Sequence, residues 1–233
     1  MELKDKVYIV TGGSSGLGKA MAEALINEGA KVVITGRDEN KLNEVANAIS
    51  AIPFHADVVK DEEIEALYKF VDEKFDQLDG VINNAGIAGW SEVDALKRED
   101  LQKVFDVNVF GAAIVAAHAA KRFKKQNYGD IVNIASTASQ KGFKMGSIYA
   151  ASKFALRGMS QSWQAELRPF NVRVIQINPS EVPTAFNVEN RSERTQEPNK
   201  LSPKEIADVA IASLKMDSRG FIPEVSVFAT NPF

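Results

Sequence analysis

The 233-residue sequence contains no cysteine, and histidine occurs only at His55 and His118. The first absence excludes a disulfide framework and any thiolate metal site, and it fits a reducing compartment. The scarcity of histidine argues against an imidazole metal cluster, so no metal is expected. An excess of positive charge is missing too. With 28 Lys plus Arg against 31 Asp plus Glu, the net charge is -3, which provides no basic face for nucleic acid or anionic lipid. Long hydrophobic runs are also lacking. The apolar stretch "VFGAAIVAAHAA" is too short for a membrane span and carries His118. The opening "MELKDKVYIVTGG" has no apolar core of the signal-peptide kind before its first turn. The expectation is a soluble cytoplasmic protein that binds neither nucleic acid nor membrane.

What is present is an alternation. Short β-branched runs recur near Val7, Val32, Phe54, Val81, Val132, Val174 and Val227. Between them lie stretches with apolar residues three to four apart: Leu17–Ile26, Leu42–Ile49, Ile64–Phe75, Leu101–Phe123, Tyr149–Leu167 and Ile206–Leu214. That rhythm predicts an α/β chain of βαβ units with a parallel sheet of about seven strands buried on both faces. The length suits one domain over residues 1–233. Gly29 is placed to close the first helix, and Ser202-Pro203 to open the last. The polar, aperiodic stretch from Pro183 to Lys200 is longer than an ordinary connection and is expected to be a substrate loop or lid.

The first strand candidate runs into "TGGSSGLG", Thr11–Gly18, and a helix follows. Glycines there permit a tight turn, and the exposed helix N-terminus offers N–H donors to a pyrophosphate. After the second strand candidate the sequence reads "ITGRD". Gly36 stands where an acidic residue would bind the ribose of NAD. Arg37 follows and can pair a 2'-phosphate, which favours NADP(H) over NAD(H); Asp38, one residue on, is the alternative ribose ligand. Further along, Tyr149 and Lys153 are four residues apart in "SIYAASK", so a helix would stack them on one side.

Together, "TGGSSGLG", "NNAG" at Asn83–Gly86, Asn108 in "VNVFG", Ser136 in "NIASTAS" and "YAASK" at Tyr149–Lys153 resemble the short-chain dehydrogenase/reductase family, from about Val7 to Thr184. The resemblance implies a Rossmann-type doubly wound parallel sheet, a nicotinamide cofactor and interconversion of a carbonyl with a secondary alcohol, with 3-oxoacyl reduction the nearest analogy. It assigns catalysis to Ser136, Tyr149, Lys153 and Asn108, the last maintaining a water-linked proton path. It places the cofactor on Gly12, Ser14, Ser15, Gly16, Leu17 and Gly18 of the loop, on Arg37, on Asp57 and Val58, and on Asn84, Ala85 and Gly86. Tyr149, Lys153, Pro179, Val182 and Thr184 complete that set. The small-molecule substrate is expected among Ile87, Ala88, Trp90, Thr137, Phe143, Met145, Ser180, Glu181 and Phe186. The family pattern also implies a homodimer or homotetramer, assembled through the helices at Leu101–Phe123 and Tyr149–Leu167.

Two departures stand out: Ser180 after Pro179, where the family has glycine, and a tail that lacks the family's glycine-rich ending. A Cβ at position 180 restricts the backbone expected against the nicotinamide. On magnitudes, bringing a phenol from about 10 to near 7 requires roughly 4 kcal/mol. One ammonium about 4 Å away supplies approximately that at an effective dielectric near 20. Lys153 is therefore expected to lower the Tyr149 pKa. Two rival readings are an epimerase or dehydratase with retained cofactor, and a non-catalytic NADP-binding regulator.

Overall fold

Strands and helices alternate as the apolar rhythm dictates. The computed structural model describes residues 1–186, 188 and 192–232. The chain runs through β1 (Val7–Val10), α1 (Gly16–Asn27), β2 (Lys31–Gly36), α2 (Glu39–Ile49), β3 (Ile52–His55), α3 (Asp61–Lys74) and β4 (Gly80–Asn83). It continues through α4 (Arg98–Phe105), α5 (Ala112–Gln126), β5 (Gly129–Ile134), α6 (Ser147–Leu167), β6 (Val172–Pro179), α7 (Pro203–Lys215) and β7 (Glu224–Val227). The seven strands form one parallel sheet in the order β3-β2-β1-β4-β5-β6-β7.

The inner strands β1, β2, β4, β5 and β6 are buried on both faces because each face is covered, whereas the edge strands β3 and β7 are partly open. Val10, Ile34, Ile82, Val132 and Ile175 meet Met21, Leu25, Leu42 and Ile206 of α1, α2 and α7. Their neighbours Ile9, Val33, Val81, Ile131 and Val174 meet Ile64, Leu67, Val115 and Phe123 of α3 and α5. Each such buried aliphatic side chain contributes roughly 1.5–3 kcal/mol, so a shift of register would empty both layers together.

The ends of the helices follow their local chemistry. Ser202 and Glu205 form a reciprocal capping box at α7, with Pro203 in its first turn. Gly29, at φ 84°, donates to the Ile26 carbonyl beyond α1. One helix departs from expectation. The predicted stretch Leu101–Phe123 is broken by a π-helical turn over Asp106–Gly111, between α4 and α5. The whole stretch Arg98–Gln126 spans 29 residues with a window of mean hydropathy 1.3, long and apolar enough to cross a membrane. This corrects the expectation that the region is too short, which counted only its central run. Half of that window is buried inside the fold, where Ala116, Ala119 and Phe123 pack on the sheet.

Candidate active site

The strand order reverses between β1 and β4, so their crossover helices leave on opposite faces and a crevice opens beyond the carboxyl ends of the strands. A cleft of about 1390 Å³ lies there. Its floor is the loop between β1 and α1. Gly16 sits at φ 51°, a left-handed conformation that favours glycine, and a Cβ on Gly18 would stand 2.3 Å from the Gly12 carbonyl oxygen. The turn is held from β4: the Asn84 amide donates to the Thr11 and Gly12 carbonyls at 2.9 and 3.1 Å, while the Thr11 hydroxyl accepts from the Asn84 and Ala85 N–H groups.

Of the residues assigned to a cofactor, all but Gly18 line this cleft. Gly18 is buried in α1 and serves the turn instead. At the end of β2, a Cβ on Gly36 would lie 3.0 Å from the Ser14 hydroxyl oxygen, so an acidic side chain there would have to displace Ser14. Arg37 opens onto the cleft with its guanidinium 4.0 Å from the Asp57 carboxylate. Asp38 also faces the cleft, but its carboxylate caps α2 by accepting from the Lys41 N–H at 3.1 Å. Thr184 closes over the loop, its Cβ 3.2 Å from where a Gly16 Cβ would be. The Ser180 N–H donates to the Val227 carbonyl at 2.8 Å, prolonging the β6–β7 pairing.

Ser136, Tyr149 and Lys153 come together on the cleft wall. Ser136 follows β5, and its hydroxyl accepts from the Ala138 N–H, opening a short helical turn. Lys153, one turn after Tyr149 in α6, is 4% exposed and donates from Nζ to the Ile134 carbonyl at 3.0 Å. Its Nζ stands 5.7 Å from the centre of the Tyr149 ring. Burial pushes the Tyr149 phenol up to about 12, with the Ser136 hydroxyl pulling the other way. Burial pushes Lys153 down to about 8. The expected lowering of the tyrosine pKa by its lysine is therefore corrected. Both groups share a poorly solvated wall that disfavours charge on either, and the ammonium is turned toward Ile134.

Asn108 is not on the cleft wall. It lies behind the wall in the π-helical turn, accepting from the Ile87 N–H at 2.8 Å and donating to the Ile87 carbonyl at 2.9 Å and the Ser152 hydroxyl at 3.0 Å. Both amide donors are thereby committed to protein, and the side chain braces the strand-end loop against α6.

The outer part of the cleft is apolar. The Tyr149 ring is flanked by Trp90 and Phe186, with centroids 5.5 and 5.7 Å away, and Phe143 lies 5.5 Å beyond Trp90. Ile87, Thr137, Ser180 and Glu181 join this wall as expected, whereas Ala88 and Met145 do not. Gly89 packs between Val104 and Ile148, which turns that stretch inward, and the Met145 carbonyl is tied to the Ser91 N–H. Among the lining residues that the sequence reading missed are Gln140, Lys141 and Phe228, while Arg194 comes from the expected lid. Gln140 is fixed by Glu224 and Ser226 of β7, a contact across 84 to 86 residues that no local signal announces. Among the described residues, no three His, Asp or Glu side chains are grouped to hold a metal.

A phenol, a hydroxyl and a lysine thus meet on one wall of a cleft floored by a glycine-rich turn. The short chain dehydrogenase family model matches residues 6–195, and the chain belongs to that family of oxidoreductases. It is 36% identical to an uncharacterized oxidoreductase of Staphylococcus saprophyticus over 97% of this chain and 98% of the relative. Among solved structures it resembles an alcohol dehydrogenase from the archaeon Thermococcus sibiricus complexed with 5-hydroxy-NADP, with TM-score 0.89, 27% identity and 97% of each chain covered. A 3-ketoacyl-(acyl-carrier-protein) reductase from Brucella melitensis complexed with NADH is similar too, with TM-score 0.88 and 26% identity over 99% of this chain and 100% of that one.

Proposed function

We propose that the protein is an NADP(H)-dependent reductase of a carbonyl compound bearing an apolar arm, working reversibly on the matching secondary alcohol. The observation that carries this reading is the meeting of Tyr149, Ser136 and Lys153 on the wall of a cleft floored by the glycine loop. Residues 1–233 act as one catalytic unit in this reading, with the segment 183–200 as its lid; Asn187, Glu189, Asn190 and Arg191 of that segment lie outside the described residues.

The residues present fit a nicotinamide nucleotide. The turn at Gly16 and Gly18 directs the N-terminal N–H groups of α1 toward the cleft, where a phosphate would be received. Asp57 and Val58 border the adenine end, and Arg37 is placed to take a 2'-phosphate, with crowding at Gly36 and the capping duty of Asp38 arguing against a ribose-binding carboxylate. When bound, the cofactor supplies the hydride.

Ser136 orients the substrate oxygen, and Tyr149 donates its proton to that oxygen. A phenol raised to about 12 stays protonated at neutral pH, the form that can donate to a substrate oxygen. Lys153 holds the proton reserve behind Tyr149 and is positioned to grip the ribose. Asn108 is a positioning residue that keeps the Ile87 loop and α6 in register. Trp90, Phe143 and Phe186 suit an alkyl or aryl substituent rather than a sugar, and 3-oxoacyl thioesters are one class that meets this description. The exposed Phe110 and Phe154 on the helical stretches 98–126 and 147–167 suit assembly as a homodimer or homotetramer, although Ala112, Ala116 and Ala119 are spent on the core.

The test is a carbonyl panel followed by nucleotide absorbance, run with NADPH and with NADH. The expected result is turnover with alkyl or aryl ketones and 3-oxoacyl thioesters, at least tenfold better kcat/KM with NADPH, and loss of that preference in Arg37→Ala. Reduction of polyhydroxylated substrates alone, or a preference for NADH, would overturn the reading.

A further inference from the structure

Helix α1 differs from α2, α3 and α7 at the N-terminus. Asp38 caps α2, three acidic residues occupy the first turn of α3, and a capping box closes α7. Ser15, at the N-cap of α1, makes no side-chain bond to the helix, and no acidic residue lies in its first turn. The negative charge comes instead from 177 residues away: one carboxylate oxygen of Glu193 accepts from the Gly16 N–H at 2.8 Å. Its other oxygen accepts from the Ala185 N–H at 3.0 Å. The carboxylate therefore sits where the helix dipole and a free N–H favour an anion.

The rest of the described segment is tied to the loop after β6. Arg194 and Lys200 pair with Glu181 at 3.6 and 3.2 Å, and the Gln196 amide donates to the Pro183 carbonyl at 2.7 Å. The Glu193 carboxylate crosses from that body to the glycine loop. Resting on the cofactor reading above, we propose that Glu193 is an internal stand-in for a cofactor phosphate, an autoinhibitory latch. The carboxylate and the pyrophosphate compete for the Gly16 N–H, so nucleotide entry and release of residues 192–200 are one event. No covalent step is involved. Glu193 is solvent-exposed, which makes its replacement compatible with folding.

The test is calorimetric titration of the full chain with NADPH and, separately, with inorganic pyrophosphate, using wild type, Glu193→Ala, Glu193→Gln and Glu197→Gln. Glu197 carries the same charge in the same segment but pairs with Arg194 and Lys200. Losing a charged hydrogen bond that the nucleotide must displace predicts roughly three- to tenfold tighter NADPH binding in Glu193→Ala. The change should be smaller in Glu193→Gln and absent in Glu197→Gln. Unchanged or weaker NADPH binding in Glu193→Ala overturns the latch, as does an equal gain in Glu197→Gln. Should NADPH fail to bind any form while pyrophosphate binds Glu193→Ala more tightly than wild type, the latch stands and the cofactor reading falls. If neither probe responds to the substitution, the latch is wrong.

Discussion

The two ends of the sheet both bury charge, and they treat it in opposite ways. At the amino ends, the Arg173 guanidinium is 6% exposed and meets both oxygens of Asp130 at 2.6 and 2.8 Å, as well as the carbonyls of Leu214 and Met216. Beside it, the buried Asp79 accepts from the Val7 N–H and pairs with Lys6. Nearly every donor there has a partner. At the carboxyl ends, Lys153 is as buried but has a single acceptor among the described residues, the Ile134 carbonyl, and its charge is opposed by burial. A fully partnered ion pair fixes strand register, whereas an under-partnered ammonium keeps its protons available for chemistry.

That contrast yields predictions of decreasing size. Asp130→Ala leaves the Arg173 charge buried without its carboxylate and should destabilise the fold by roughly 3–5 kcal/mol in urea unfolding. Turnover per folded molecule should be unchanged, because the pair is remote from the cleft. Lys153→Met should do the reverse. A lysine whose folded pKa lies near 8, below its ordinary 10.5, binds its proton less tightly folded than unfolded. Its charge therefore opposes folding fully below pH about 8, and that penalty disappears as pH rises to 10.5. Replacement should stabilise the protein at pH 7 by on the order of 1–3 kcal/mol, fading above pH 10, while turnover is lost. Thermal unfolding across that pH range, beside an activity assay, checks both halves; a lower Tm at pH 7 would break the comparison.

Much of this architecture was legible because it is local. Strand runs such as Lys31–Gly36 carry β-branched residues between turn signals, and the glycine loop announces itself within eight residues. Tyr149 and Lys153 needed only the helical repeat to share a face. What the sequence hid depends on distant partners. The π-helical turn is fixed by the amide of Asn108 bonding to Ile87, 21 residues away, and local periodicity reads the same stretch as plain helix. The Glu193 contact to Gly16 joins segments that hydropathy treats as unrelated. The electrostatics of Tyr149 were misjudged for a similar reason. Spacing places a lysine nearby, but only the folded wall reveals that burial dominates the phenol and that the ammonium is turned toward Ile134.

The central claim is that the Tyr149 hydroxyl delivers the proton to a substrate oxygen held by Ser136. Its most direct test is the rate of hydride transfer in a single turnover, with wild type and Tyr149→Phe both saturated with NADPH and an apolar ketone. The account predicts a loss of roughly 10²–10⁴-fold in the variant, with NADPH affinity unchanged within about twofold. A variant that transfers hydride at close to the wild-type rate would contradict it.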